Sequence, residues 1–403
     1  MTLSFTRDLS FILPDTLQGI QRYERIYAAL QKNRSWYDEC YKELQRLFFK
    51  MTELGASDMD IGGKRANDQV WFRVKGNKYP CDELPHYTND ETASLLISAI
   101  NAEQKNALFL QKNIDVAISI DIGAEQPSRF RSDIFFEQSS LAANFRMINQ
   151  KLFDLKDLRI PPPIHERLDL EYEKTGLILI TGITGSGKSS TLDSIIDMNN
   201  RKNKGSMIII GNPIEYIHQS KKCLISHREI GTDVLSFQKG TIEALRQDPD
   251  IVVVGEMRDP STISTVLEVT DSGHKVFSTL HTSSAVESIH RIIAEFPPDE
   301  QVRVRFRLAD TLKVVISQKL VPSRSGGLTL AKEILSVGPS EQAAIRNGNV
   351  NELFQMLTEG RRRGMCTMQQ DLLSLVKRGV ITKETALNYA NNRKVMKQLL
   401  GTY

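Results

Sequence analysis

Residues 182–190 read GITGSGKSS, and the apolar run LILIT stands directly before them at 177–181. Together they complete the pattern G-x-x-x-x-G-K-[ST] in a strand, loop, helix order, because Leu192, Ile195 and Ile196 follow at helical spacing. The chemistry requires these residue types. Gly182, Gly185 and Gly187 let the backbone turn with unusual dihedrals and bring bare N–H groups up to phosphate oxygens, and a helix starting near Lys188 turns its positive end to the anion. Lys188 would reach the β and γ phosphates, and the Ser189 hydroxyl would complete the coordination of a magnesium ion. Thr184, Ser186 and Ser190 lie in the same loop and belong to the expected nucleotide-binding set. A Gly/Ser turn matching the pattern by chance is the competing reading, and the flanking segments argue against it.

Further apolar runs follow at 207–210, 251–254 and 276–280, with helical segments between them. Four such runs, bounded by turns, suit strands buried on both faces of a parallel sheet, and they predict an α/β P-loop domain over 166–338. From Pro339 the pattern turns helical, with Met368, Leu372, Leu373 and Val376 on one face and Gly379 as a stop, giving a helical C-terminal region at 339–403. Upstream, Pro161-Pro162-Pro163 reads as a stiff linker within 156–165. Over 51–155, short β-branched and aromatic segments (70–74, 116–122, 132–136) surround a helical stretch at 91–100, which predicts an α+β domain. Residues 1–50 read as a helical lead-in, since Tyr23, Ile26, Tyr27, Leu30, Leu44, Leu47 and Phe48 recur at three- and four-residue steps. No internal repeat occurs.

At 403 residues the chain can bury a core without covalent staples and has room for two or three domains. Its 52 basic and 49 acidic residues leave a net charge of +3, which argues against a role in coating nucleic acid. Cys40, Cys81, Cys223 and Cys366 are too scattered for a zinc or redox motif and fit a reducing cytosol. No apolar run reaches the roughly 18–20 residues that cross a bilayer, and the N-terminus lacks the basic start and apolar core of a leader. The expectation is a cytoplasmic protein that meets a membrane only through partners.

A phosphate loop binds but does not hydrolyse, so water and metal need further groups. Glu256 follows the run IVVVG and should emerge at a strand's carboxyl end, where ligands of open parallel sheets sit. A carboxylate there suits water activation or the metal's shell, against the plainer reading of a solvated acid. Glu215, in GNPIEY after the 207–210 run, is a second candidate. His281 ends the 276–280 run and would sense the γ-phosphate, while His274 is equally open to a plain turn role. Without cysteines or an acid cluster nearby, the two histidines do not make a zinc site.

The successive blocks GITGSGKSS, GNPIEYIHQSKKCLISHREIG, ALRQDPDIVVVGEMRD and SGHKVFSTLHTSSA resemble the Walker A, Asp-box, Walker B and His-box motifs of the PilT-like secretion ATPases, in the same order. GASDMDI is similar to the GASD strand that opens that family's N-terminal domain, so the likeness spans roughly 55–380. The resemblance implies a PAS-like α+β N-terminal domain, a RecA-like ATPase domain with a helical extension, ATP and Mg2+ as ligands, and a homo-hexameric ring. Size and the long lead-in resemble the DotB/TraJ branch, which serves type IVB secretion and plasmid conjugation. The family's catalytic glutamates fall on Glu256 and Glu215, and its His-box histidines on His274 and His281. SRFRSDIF is similar to the family's RFR strand, which makes Arg129 and Arg131, with Arg146 in NFRMI, candidates to reach a neighbouring subunit's γ-phosphate; alternate residues on a solvated strand face are the other reading. One departure stands out. Gly211 and Asn212 occupy positions where relatives carry an acidic pair, which leaves the site less negative.

These readings favour a mechanical Mg-ATPase that powers a secretion or conjugal transfer machine at the inner membrane. A pilus retraction motor is the alternative within the class, and the residues barely distinguish the two. A nucleic-acid translocase is the alternative from another class, raised by Arg303, Arg305, Arg307 and the run Arg361, Arg362, Arg363. Those arginines suit helix pairing and a solvated turn, and no aromatic interleaving accompanies them, so direct nucleic-acid binding is not expected. A GTPase would need an N-K-x-D element, which is absent. A small-molecule kinase would need an acceptor pocket, of which the sequence gives no sign.

Overall fold

The computed structural model describes residues 2–14, 16–123, 127–148 and 152–401. The chain forms two compact units, Met1–Gln150 and Lys151–Tyr403.

The first unit is built on six strands: β1 Asp58–Gly62, β2 Trp71–Val74, β3 Asn77–Pro80, β4 Asn113–Ile120, β5 Ser128–Glu137 and β6 Ser140–Met147. They lie in the order β3-β2-β1-β6-β5-β4, every neighbouring pair antiparallel. Alternation sorts the faces. Ile114, Val116, Ile118 and Ile120 of β4 and Phe130 and Ile134 of β5 turn to one side and are buried. Helices Gly19–Lys32, Arg34–Glu53, Asn89–Ser98 and Ala102–Gln111 share that core. The Phe48 ring lies 4.0 Å from Phe130 and 5.0 Å, edge-on, from Phe145. Burying an aromatic side chain this fully contributes about 2–3 kcal/mol. The lead-in helices are therefore part of this unit's core.

The second unit holds seven strands: β7 Gly176–Thr181, β8 Gly205–Gly211, β9 Cys223–Glu229, β10 Ile251–Val254, β11 Lys275–Leu280, β12 Leu312–Pro322 and β13 Leu328–Ser336. Their order is β13-β12-β7-β11-β10-β8-β9, and all pair in parallel except the β12/β13 hairpin. The four apolar runs of the sequence are β7, β8, β10 and β11, the consecutive heart of the sheet. Pattern reading passed over β9, β12 and β13. In β9 half-exposed and polar residues interrupt the apolar ones, and β12 begins at Leu312 directly behind helix Pro298–Thr311 with no turn residue between.

Pro162 is the first residue of helix Pro162–Leu168, where its missing N–H costs nothing. Ile160, Ile164 and Leu168 pack on Ile178 and Ile180 of β7. Lys275, at the start of β11, is fully buried, and its Nζ donates to the carbonyls of Arg167 (2.8 Å), Asp169 (3.3 Å) and Glu173 (2.6 Å). The C-terminal helices Met368–Lys377, Lys383–Tyr389 and Arg393–Leu400 close a small core of Met368, Leu372, Leu375, Ile381 and Met396 against Val321 and Ala331. Leu373 and Val376, expected on the same face, are only partly buried there.

Candidate functional site

The loop at 182–187 leaves the carboxyl end of β7 and runs into helix Lys188–Lys202. Gly182 (φ +151°) and Gly187 (φ +84°) hold dihedrals that L side chains rarely adopt. A Cβ at Gly182 would collide with Ser186 Oγ and the Gln318 carbonyl, and one at Gly187 would press on Gln318 Nε2 at 3.3 Å. Gln318 lies on β12, and its Nε2 donates to the Ser186 carbonyl at 2.8 Å. It thus braces the loop from behind. Spacing alone carries no signal for it, because its strand is not apparent in the apolar pattern. Ser186 Oγ and Gln318 Oε1 are buried here without a hydrogen-bond partner, at about 1–3 kcal/mol each. Bare glycine backbone, unpaired polar atoms and a helix start converge at one loop, which fits an anionic ligand.

Lys188 folds back so that Nζ donates to the carbonyls of Gly182 (3.0 Å) and Ile183 (3.1 Å). Burial lowers its pKa, while the carboxylates of Glu256 and Glu215 pull the other way, so both acids of the sequence reading act electrostatically on this ammonium. Glu256 follows β10, and the turn that carries it is tied to β11 by Thr279 Oγ1 donating to the Gly255 carbonyl (2.6 Å) and by the Met257 N–H donating to the Thr279 carbonyl (3.2 Å). Its carboxylate takes an ion pair from Arg258 at 2.8 Å and lies 4.0 Å from His281 Nε2. The His281 carbonyl accepts from Arg291 at 2.7 Å. Burial, and then the cations Lys188, Arg258 and Arg291, hold the His281 pKa below its ordinary value. Sequence reading passed over Arg258 and Arg291; only the position of Arg258, two residues after Glu256, could have hinted at its contact.

Ser189 and Ser190 sit half-buried in the first turn of the helix, and Thr184 is exposed in the loop. Among the described residues no cluster of three or more histidine, cysteine or acidic side chains could cage a metal.

His274 is placed elsewhere. Its Nδ1 lies 2.9 Å from Ser272 Oγ, and its carbonyl accepts from the Gly176 N–H (3.1 Å) at the beginning of β7. Six strand residues, about 20 Å, separate that point from the phosphate loop. At Gly211 a Cβ would come within 2.8 Å of Ile214 Cγ1 and 3.2 Å of its Cα, so an acid cannot be restored there without moving Ile214.

Arg129, Arg131 and Arg146 belong to the first unit. Arg131 and Arg146 are register partners across β5 and β6, and the β5 arginines alternate with buried Phe130 and Ser132, which puts them on the opposite face of the sheet from those side chains. Arg131 pairs with Asp115, Arg146 with Asp58 at 2.9 Å, and Arg129 donates to Ser119 Oγ at 3.0 Å.

A family model described as type II/IV secretion system protein matches residues 39–398. The chain belongs to that family. A twitching motility protein of Neisseria gonorrhoeae is 37% identical over 314 residues, covering 78% of this chain and 82% of that one. The type IV pilus retraction ATPase PilT of Pseudomonas aeruginosa is 35% identical over 334 residues, 82% of this chain and 93% of the relative. Among solved structures, the pilus retraction motor PilT with bound ADP superposes with a TM-score of 0.78 at 34% identity, covering 88% of this chain and 98% of that one. The ATPase DotB of Legionella pneumophila gives 0.68 at 25% identity, over 85% and 94%. The chain is thus an ATP hydrolase of the PilT-like type, with a PAS-like N-terminal domain, a RecA-like ATPase domain and a helical extension. No helix among the described residues is long and apolar enough to cross a membrane.

Proposed function

We propose that the chain is one subunit of a homo-hexameric Mg-ATPase whose hydrolysis cycle moves its domains and drives a secretion-type machine. The observation that carries this reading is that Glu256 and Glu215 both act electrostatically on Lys188 of the phosphate loop, with His281 4.0 Å from Glu256. In it, the backbone of Gly182, Thr184, Gly185, Ser186 and Gly187, with the hydroxyls of Ser189 and Ser190, holds the phosphates. Lys188 leaves the carbonyls of Gly182 and Ile183 for the β/γ phosphates. Glu256, freed from Arg258, orients and deprotonates the attacking water, and Glu215 assists from the neighbouring loop. His281, kept neutral, donates a hydrogen bond to the γ-phosphate. A magnesium ion held by Ser189 and Glu256 supplies neutralisation of phosphate charge.

Arg129, Arg131 and Arg146 complete the site of the next subunit. Their place on the open face of the first sheet, with the Arg131 and Arg146 side chains 41% and 59% exposed, supports this role. The carboxylate partners of Arg131 and Arg146 would then be exchanged for phosphate. The ring is cytoplasmic and recruited to the inner membrane by machine proteins. The higher identity to retraction motors favours a pilus-type machine, whereas the type IVB or conjugal reading rests on the likeness to DotB. Light scattering with and without ATP, alongside phosphate release from mixtures of wild type and Lys188→Ala, tests the ring. A hexamer in which the variant slows its wild-type neighbours is expected; a monomer under all conditions, or simple dilution of the rate, contradicts it.

A further inference from the structure

Helix Lys188–Lys202 carries more than the phosphate lysine. Asp193, Asp197 and Asn200 recur at i, i+4 and i+7 and so share one helix face. That face is enclosed, with Asp197 3% and Asn200 0% exposed. All three bond to a single stretch, the one that leaves β8 and carries Glu215. Asp193 Oδ1 lies 3.1 Å from His218 Nε2. The His218 N–H donates to His227 Nε2 of β9 at 3.1 Å, and its ring lies 4.6 Å from that of Tyr216. Asp197 accepts from Lys221 Nζ at 2.6 Å. Asn200 donates from Nδ2 to the Gln219 carbonyl (2.8 Å) and accepts the Lys221 N–H at Oδ1 (2.9 Å). Its own carbonyl accepts the Lys222 N–H at 2.9 Å. On the other flank of Glu215, the Ile214 N–H donates to Glu229 Oε2 at 3.0 Å.

Residues 212–222 form neither helix nor strand. No regular backbone ladder fixes where Glu215 stands, so these side-chain bonds set its place relative to Lys188, five residues before Asp193 on the same helix. We propose that Asp193 and His218 are positioning residues, a clamp through which the phosphate-binding helix holds the Glu215 loop in register with Lys188. It rests on the reading of Glu215 as a catalytic group and adds the device that aims it. An acid misplaced by about 1 Å can cost up to about 100-fold in rate while leaving affinity intact.

The test is a double-mutant cycle read by steady-state phosphate release, with binding of a fluorescent ATP analogue measured in parallel on the full chain. Asp193→Ala is expected to lower kcat by about 10- to 100-fold with nucleotide Kd changed less than about threefold. Asp193→Asn, which keeps the acceptor oxygen for His218, should recover most of the rate. In a Glu215→Gln background Asp193→Ala should cost less than about twofold, because the group it aims is gone. Losses that multiply, or a Kd that worsens as much as kcat falls, would overturn the clamp while leaving Glu215 catalytic. A Glu215→Gln enzyme as fast as wild type would overturn both. Should Asp193→Ala fail to fold, Lys221→Met, which leaves Asp197 paired with Arg201, carries the same cycle. A smaller kcat loss that vanishes with Glu215→Gln supports the clamp, and an equal loss in both backgrounds sinks it.

Discussion

Lys188 lies against two loop carbonyls, and the groups that would act on phosphate stand around it: Glu256 under Arg258, Glu215 on its loop, and His281 above Glu256. His281 offers a check by pH. Burial and three neighbouring cations depress its pKa, so the free enzyme keeps it neutral at pH 7 and protonates it only below the ordinary histidine value of 6.5. If the neutral ring is required, activity is full at neutral pH and is lost as pH falls through the depressed pKa. The acid limb of kcat/KM, which reports the free enzyme, should therefore lie below pH 6.5 and disappear in His281→Asn. A limb at or above 6.5 that His281→Asn removes would contradict this. Much of the site was legible because Gly182 to Ser190 are contiguous and Glu256 and His281 end recognisable strands. Gln318, Arg258 and the Asp193–His218 pair were not, since each acts through a fold contact that spacing does not encode.

At the scale of elements, the core strands of the second unit could be read from apolar runs, because burial on both faces leaves a continuous hydrophobic signature in β7, β8, β10 and β11. The flanking strands show less. β9 exposes part of one face at the sheet edge, and β12 mixes Ser317, Gln318 and Lys319 into its run because it touches the phosphate loop and the C-terminal helices. Lys275 opens β11 and ties it to helix Pro162–Leu168 and the segment after it. Burial pushes its pKa from 10.5 down to about 7. Between those values the unfolded chain binds a proton that the folded chain does not, so this residue makes stability rise with pH, by at most about 1.4 kcal/mol per unit. The neutral amine still donates to two of the three carbonyls. Lys275→Met removes every donor, so the variant should melt below wild type, with a gap that widens from pH 7 to pH 9. A gap that stays constant or narrows would contradict a proton released on folding.

At the scale of the molecule, the second unit holds the phosphate loop and the acids that act on Lys188, while the first carries Arg129 and Arg131 on the sheet face opposite Phe130. The order of the motif blocks made the family recognisable from the chain alone, and the fold bears that out. The choice between machines was not legible, because the motif blocks that mark the family all belong to nucleotide binding and hydrolysis. Everything proposed for the ring depends on whether this site hydrolyses ATP despite Gly211 and Asn212. The most direct measurement is phosphate release from Mg-ATP by wild type and Glu256→Gln, with nucleotide affinity determined for both. Wild type should turn over, and Glu256→Gln should bind ATP comparably while releasing phosphate about 100-fold or more slowly. Wild-type protein that binds ATP but releases no phosphate, or a Glu256→Gln variant as fast as wild type, would contradict the assignment.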